Sequence, residues 1–108
     1  MLSKFGTTNL EILKDILQKK WEKKALITDI KVMNRPFDMF EMYVTINNRY
    51  NIKISYDRSI VDISVQINGE YIWLTDLTDQ DVVEGFESCQ PENLLYNFKI
   101  LDGVLQAM

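Results

Sequence analysis

The chain has 108 residues, 46% hydrophobic and 26% charged, with a net charge of −4, no histidine and one cysteine. That is enough for one domain, residues 1–108, whose core needs no disulfide or metal to close it. The missing histidine removes the commonest general base and the commonest transition-metal ligand, and the lone Cys89 excludes an internal disulfide, a Cys–His nucleophile or a zinc site within one chain.

The first residues, MLSKFGTTNLEILKD, carry no apolar stretch followed by a small-residue cleavage site, and no apolar run reaches the length of a membrane span. The expectation is a cytoplasmic protein in a reducing compartment. Frequent Ile (12) and Asn (8) with scarce Ala (2) point to an AT-rich bacterial or phage genome.

Thr8-Asn9-Leu10-Glu11 matches a capping box, and Leu10, Leu13, Ile16, Leu17 and Trp21 follow at helical spacing. The pattern predicts a helix over about 9–24, with Lys19, Lys20, Lys23 and Lys24 at the end where cations complement the helix dipole.

The period then drops to two. Leu26, Ile30 and Val32; Phe40, Met42, Val44 and Ile46; Ile52 and Ile54; Val61, Ile63, Val65 and Ile67; and Tyr71–Leu74 predict five strands, each with one buried face. Asn68-Gly69 is a strong type I′ hairpin signal and sets Ile67 opposite Glu70 and Val65 opposite Ile72. A two-residue loop at Asp57-Arg58 sets Ile54 opposite Val61, and Lys53 opposite Asp62 on the other face. A loop at Asn47-Asn48-Arg49 sets Val44 opposite Ile52. Pairing Val32 with Phe40 around Asn34-Arg35-Pro36-Phe37 sets Lys31 opposite Glu41. The expected sheet is a five-stranded antiparallel meander. Its register turns Tyr71 and Trp73 away from the core onto an otherwise polar face, unless residues 75–90 fold back over them. The last strand is also an edge that another chain could extend.

Downstream, Thr78 is placed to cap a short helix over about 79–87, with Asp79 and Asp81 in its first turn. Pro91 suits the first position of a final helix, whose stripe is Leu94, Leu95, Phe98, Leu101, Leu105 and Met108. Both helices are expected on one face of the sheet, an α+β fold.

The charge is segregated along this layout. Residues 1–58 hold eleven Lys or Arg and seven Asp or Glu; residues 59–108 hold one Lys and nine acids. Asp76, Asp79, Asp81, Glu84 and Glu87 follow directly on Tyr71 and Trp73. No P-loop or GxGxxG accompanies them. A calcium loop counted from Asp76 puts Asp81 where the turn demands glycine. No cofactor or metal site is expected, and helix capping accounts for the acids better than catalysis does, so the chain is expected not to be an enzyme. An acidic half also disfavours a nucleic-acid partner. Acids beside aromatics suit a basic protein partner, since opposite potentials speed association and Trp and Tyr are typical binding anchors. Tyr71, Trp73, Asp76, Asp79, Asp81, Glu84 and Glu87 are therefore the candidate partner-binding residues.

A small, acidic, histidine-free single domain with this segregation is similar to bacterial toxin-immunity proteins. The resemblance is one of size, charge and layout. It implies an inhibitor that covers the active site or exosite of a basic toxin, often a nuclease, with carboxylates and aromatics. Acidic secretion chaperones form a second class of similar size; they hold extended client segments and are usually dimeric, so a homodimer stays open. Their usual layout interrupts the strand run with a helix, which this sequence does not.

Overall fold

The computed structural model describes residues 2–33 and 37–108. Helix α1 (Lys4–Trp21) leads into strands β1 (Ala25–Met33), β2 (Met39–Ile46), β3 (Tyr50–Asp57), β4 (Ile60–Ile67) and β5 (Glu70–Trp73), and helix α2 (Pro91–Gln106) closes the chain. The sheet order is β1-β2-β3-β4-β5, an antiparallel meander. This is the α+β layout that the periodicity predicts.

Two helices lie against one face of the sheet because each element has a single apolar face to hide. Leu13, Leu17 and Trp21 of α1, Leu94, Phe98 and Leu101 of α2, and the inward rows of β2, β3 and β4 form one buried cluster. Trp21 and Phe98 meet edge to face at 5.3 Å, and Lys20 Nζ reaches Asp102 Oδ2 at 2.9 Å, so the helices are joined by both packing and charge.

Several local expectations fail. The first helix begins five residues early and ends at Trp21. Its cap is Ser3, whose Oγ accepts from the Gly6 N–H at 3.1 Å, while Thr8 Oγ1 donates to the Lys4 carbonyl inside the helix. Ser3 wins because Asp38, arriving from the start of β2, accepts from both the Ser3 N–H and its hydroxyl. Those bonds hold the Asp38 carboxyl below its usual pKa.

The second miss is a slip of two. The hairpin turns at Arg58-Ser59, not Asp57-Arg58, with φ of 49° and 73°. Ile54 therefore pairs with Ile63 and Ile52 with Val65. A slip of two leaves every side chain on its own face, so hydrophobic alternation cannot detect it. The observed register brings Tyr56 opposite Val61, adding an inward pair. Tyr56 stacks on Phe40 at 4.6 Å and its hydroxyl accepts from Asn9 Nδ2 at 2.8 Å. Lys53 consequently faces Ser64 rather than Asp62, and pairs with Glu41 Oε2 at 3.7 Å.

Third, Leu26, expected on the buried face of its strand, is 60% exposed. A bulge between Ile27 and Asp29 shifts the register within β1, so Ala25 and Ile27 turn inward and Leu26 outward. The other predicted pairings form as expected: Val32 with Phe40, Lys31 with Glu41, Val44 with Ile52, Val65 with Ile72 and Ile67 with Glu70. Most of the loop expected at Asn34-Arg35-Pro36-Phe37 lies outside the described residues. On α2, Leu95 is exposed and Ile100 joins the buried stripe instead, while Met108 lies exposed beyond the helix end.

Candidate interaction surface

Strand β5 is short and pairs only with Ser64–Ile67, so the first half of β4, paired to β3 on one side, has no strand neighbour on the other among the described residues. The chain after β5 completes that edge. Residues Gly85–Cys89 form a 3-10 turn beside β4, where buried Ser88 accepts from the Val61 N–H through Oγ at 2.7 Å and donates to the Gly85 carbonyl at 2.5 Å. Further up, Asn97 of α2 is 1% exposed and clamps Val83 from both sides. Its Oδ1 accepts from the Val83 N–H at 2.9 Å and its Nδ2 donates to the Val83 carbonyl at 3.0 Å.

The helix expected over 79–87 does not form. Residues 77–84 are irregular, and Thr78 Oγ1 accepts from the Gln80 N–H in a local turn at 3.1 Å. The segment has no helical apolar stripe; backbone groups along it bond instead to its own Thr78 and Ser88 and to Asn93 and Asn97 of α2, while Ser88 also caps the Val61 N–H of β4.

This path holds the acids outward. Asp76, Asp79, Asp81, Glu84 and Glu87 are all exposed, and among the described residues none takes part in an ion pair. Trp73 sits on the open face of the sheet, opposite Ser64, and remains 46% exposed. The segment borders Trp73 on one side: Trp73, Val82 and Glu84 line a cleft of about 220 Å³ with Asp62. Asp62 is exposed, yet its carboxyl is crowded by rim atoms. That desolvation, followed by the charges of Glu84 and Asp57, raises its pKa.

Tyr71 points to the same open face but belongs to a different neighbourhood. It leans across the sheet to meet Tyr43 edge to face at 6.2 Å, with Lys53 Nζ 4.8 Å from its ring centre. Tyr71 is half-buried there, in a groove that also takes in Lys31, Asn51 and Gln66. The structure thus brings Trp73 together with Glu84 and Asp62, and sets Tyr71 among lysines.

Sequence reasoning missed an aromatic at the far end of the acidic segment. Phe86 is 71% exposed, and with Phe5 it lines a groove beside Ser59, Cys89 and Pro91. Phe37, with Arg58 stacked on it at 4.5 Å, continues this apolar surface from Phe5. Three exposed phenylalanines along one surface are uncommon in a chain with no partner for them. Phe86 was legible as an aromatic inside the acidic run; its neighbours Phe37 and Phe5 come from 49 and 81 positions earlier. Cys89 is half-buried, and burial pushes its thiol pKa up, which disfavours the nucleophilic thiolate.

Among the described residues, no group of three His, Cys, Asp or Glu is placed to hold a metal ion, and no helix is long and apolar enough to cross a membrane. Comparison with protein-family models, with curated proteins and with solved structures finds no match to this chain.

Proposed function

We propose that the chain is a non-enzymatic binding protein, an immunity-type inhibitor that neutralises a basic toxin domain, such as a nuclease, in the bacterial cytoplasm. One observation carries this reading. Five exposed acids, none in an ion pair among the described residues, lie on a segment bracketed by two exposed aromatics, Trp73 at its start and Phe86 near its end. Such a strip supplies both long-range attraction and aromatic anchors that shed water on binding, the two components of fast and tight protein recognition.

The electrostatics of the strip also favour a partner. Desolvation first, and then the charges of Glu84 and Asp57, raise the pKa of Asp62, and a bound cation beside these carboxylates would offset the charge part of that cost. Holding Val83 and Ser88 through buried hydrogen bonds limits how far the acids move, which lowers the entropy lost on binding. Tyr71 contributes less in this reading than Trp73, because Tyr43 and Lys53 already occupy its faces.

The test is capture from the native organism's lysate on tagged protein, washed at low and then high salt and read by mass spectrometry. The expected result is one dominant basic protein, released by salt and by the pair Asp79→Lys and Asp81→Lys. Its affinity for the purified chain should fall at least about tenfold with Trp73→Ala or Phe86→Ala. Binding that survives neutralisation of Asp76, Asp79, Asp81, Glu84 and Glu87 together would refute the inhibitor reading.

A further inference from the structure

At the opposite side of the sheet from the acidic segment, β1 is the terminal strand, nine residues long, with β2 as its one strand neighbour among the described residues. Edge strands of this length invite pairing with another chain unless they are blunted. Apolar side chains accumulate here: Leu26 is 60%, Val32 45% and Met33 39% exposed, and Ile27 and Ile30 are half-buried. Val32 and Ile30 point to the helix side, opposite Phe40 and Met42, yet the helices do not fully cover them.

The bulge between Ile27 and Asp29 leaves Asp29–Met33 as a regular run. Its two charges, Asp29 and Lys31, are both exposed and on the open face, and neither enters an ion pair among the described residues. Lys31 Nζ instead rests 5.1 Å from the ring centre of Tyr43.

We infer that β1 pairs antiparallel with the β1 of a second copy of this chain, about a two-fold axis at Ile30. The charges select this register. An axis at Asp29 would set two aspartates face to face, and an axis at Lys31 two lysines. An axis at Ile30 sets Asp29 against the second copy's Lys31 and Lys31 against its Asp29. The same register puts Ile30 against Ile30 on the helix side, with Val32 of each chain diagonal to the other's Ile30, within side-chain reach. A lysine that would otherwise guard the edge is thereby neutralised on pairing.

The product is a continuous ten-stranded sheet with β5 and the acidic segment at each end. Both acidic surfaces stay free and face away from the junction, so the dimer would present two equivalent binding surfaces.

Sedimentation velocity on the purified chain, from low to high micromolar concentration, tests the inference without any partner. The expected mass rises towards twice the 12.7 kDa of one chain. Asp29→Lys alone, or Lys31→Asp alone, should weaken self-association about tenfold or more, since each places like charges opposite one another twice per dimer. Mixing these two single variants should restore a dimer, because their charges are complementary across the axis. Circular dichroism of each variant should match the parent, both side chains being exposed. A parent that stays monomeric throughout, a dimer indifferent to the single substitutions, or single variants that fail to associate on mixing would each overturn the inference.

Discussion

Asn97 gives the sharpest test of how the acidic segment is held. Its amide makes two hydrogen bonds, of 2.9 and 3.0 Å, to the N–H and carbonyl of Val83, from a side chain 1% exposed. A typical intramolecular hydrogen bond contributes about 0.5–1.5 kcal/mol net, so losing both should cost roughly 1–3 kcal/mol. Asn97→Ala removes both. Denaturant unfolding should show a lower midpoint with little change in slope, and hydrogen exchange at the Val83 amide should accelerate. Asn97→Asp separates the two bonds. The ionised carboxylate still accepts from the Val83 N–H but faces the Val83 carbonyl with an acceptor; once protonated it can donate again. Its folded-state pKa should therefore be raised, and its stability deficit relative to the parent should shrink as the pH falls through that pKa. An Asn97→Ala protein as stable as the parent, with unchanged exchange at Val83, would refute the claim that α2 anchors the acidic segment.

Other sites carry equally definite expectations. Ser88→Ala leaves the buried Val61 N–H without its 2.7 Å acceptor and should cost about 1–3 kcal/mol by the same denaturant assay. Two glycine-to-alanine changes in helices should differ in sign. Gly103→Ala meets nothing within 4 Å and should gain about 0.8–1 kcal/mol from helix propensity, whereas Gly6→Ala would put a Cβ 2.7 Å from Asp38 Oδ2, disturb the Ser3 cap and lower the melting temperature. At Asp102, burial raises the pKa but hydrogen bonds from Lys20 and Gln106 and the charge of Lys20 outweigh it, leaving the pKa lowered. Its ionisation therefore stabilises the fold above the unfolded-state value of about 3.9, and the parent's advantage over Asp102→Asn should disappear as acid protonates the carboxyl. Asp62, with its raised pKa, behaves oppositely: Asp62→Asn should be slightly more stable than the parent at neutral pH and lose that gain in acid, read from urea midpoints across the pH range.

Much of the architecture was legible in the residues. Alternation of period two over Phe40–Ile46 and Val61–Ile67 declares which side of each strand is buried. Asn68-Gly69 sets one hairpin register outright, because that turn type admits few other residues. Pro91 marks the start of α2 through its preset φ and missing N–H. The exposure of Trp73 follows from the same arithmetic, one residue out of phase with Ile72 and Leu74.

What the sequence left undecided falls into three physical kinds. A slip of two residues at Arg58-Ser59 conserves every face, so it was resolved only by what Tyr56 packs against, Phe40 and Asn9. The cap of α1 went to Ser3 over Thr8 because Asp38, 35 residues away, supplies the second set of hydrogen bonds. The acidic segment carries no periodicity of its own, and its path was decided by Asn97 and Ser88, which satisfy backbone groups far from them in the chain. Phe5, Phe37 and Phe86 became neighbours for the same reason. Local pattern determines which face of an element is apolar, since that depends only on a residue and its near neighbours in sequence. Which partner meets that face, and which loop residues are held against it, depends on contacts across the whole chain, and only the tertiary structure decides them.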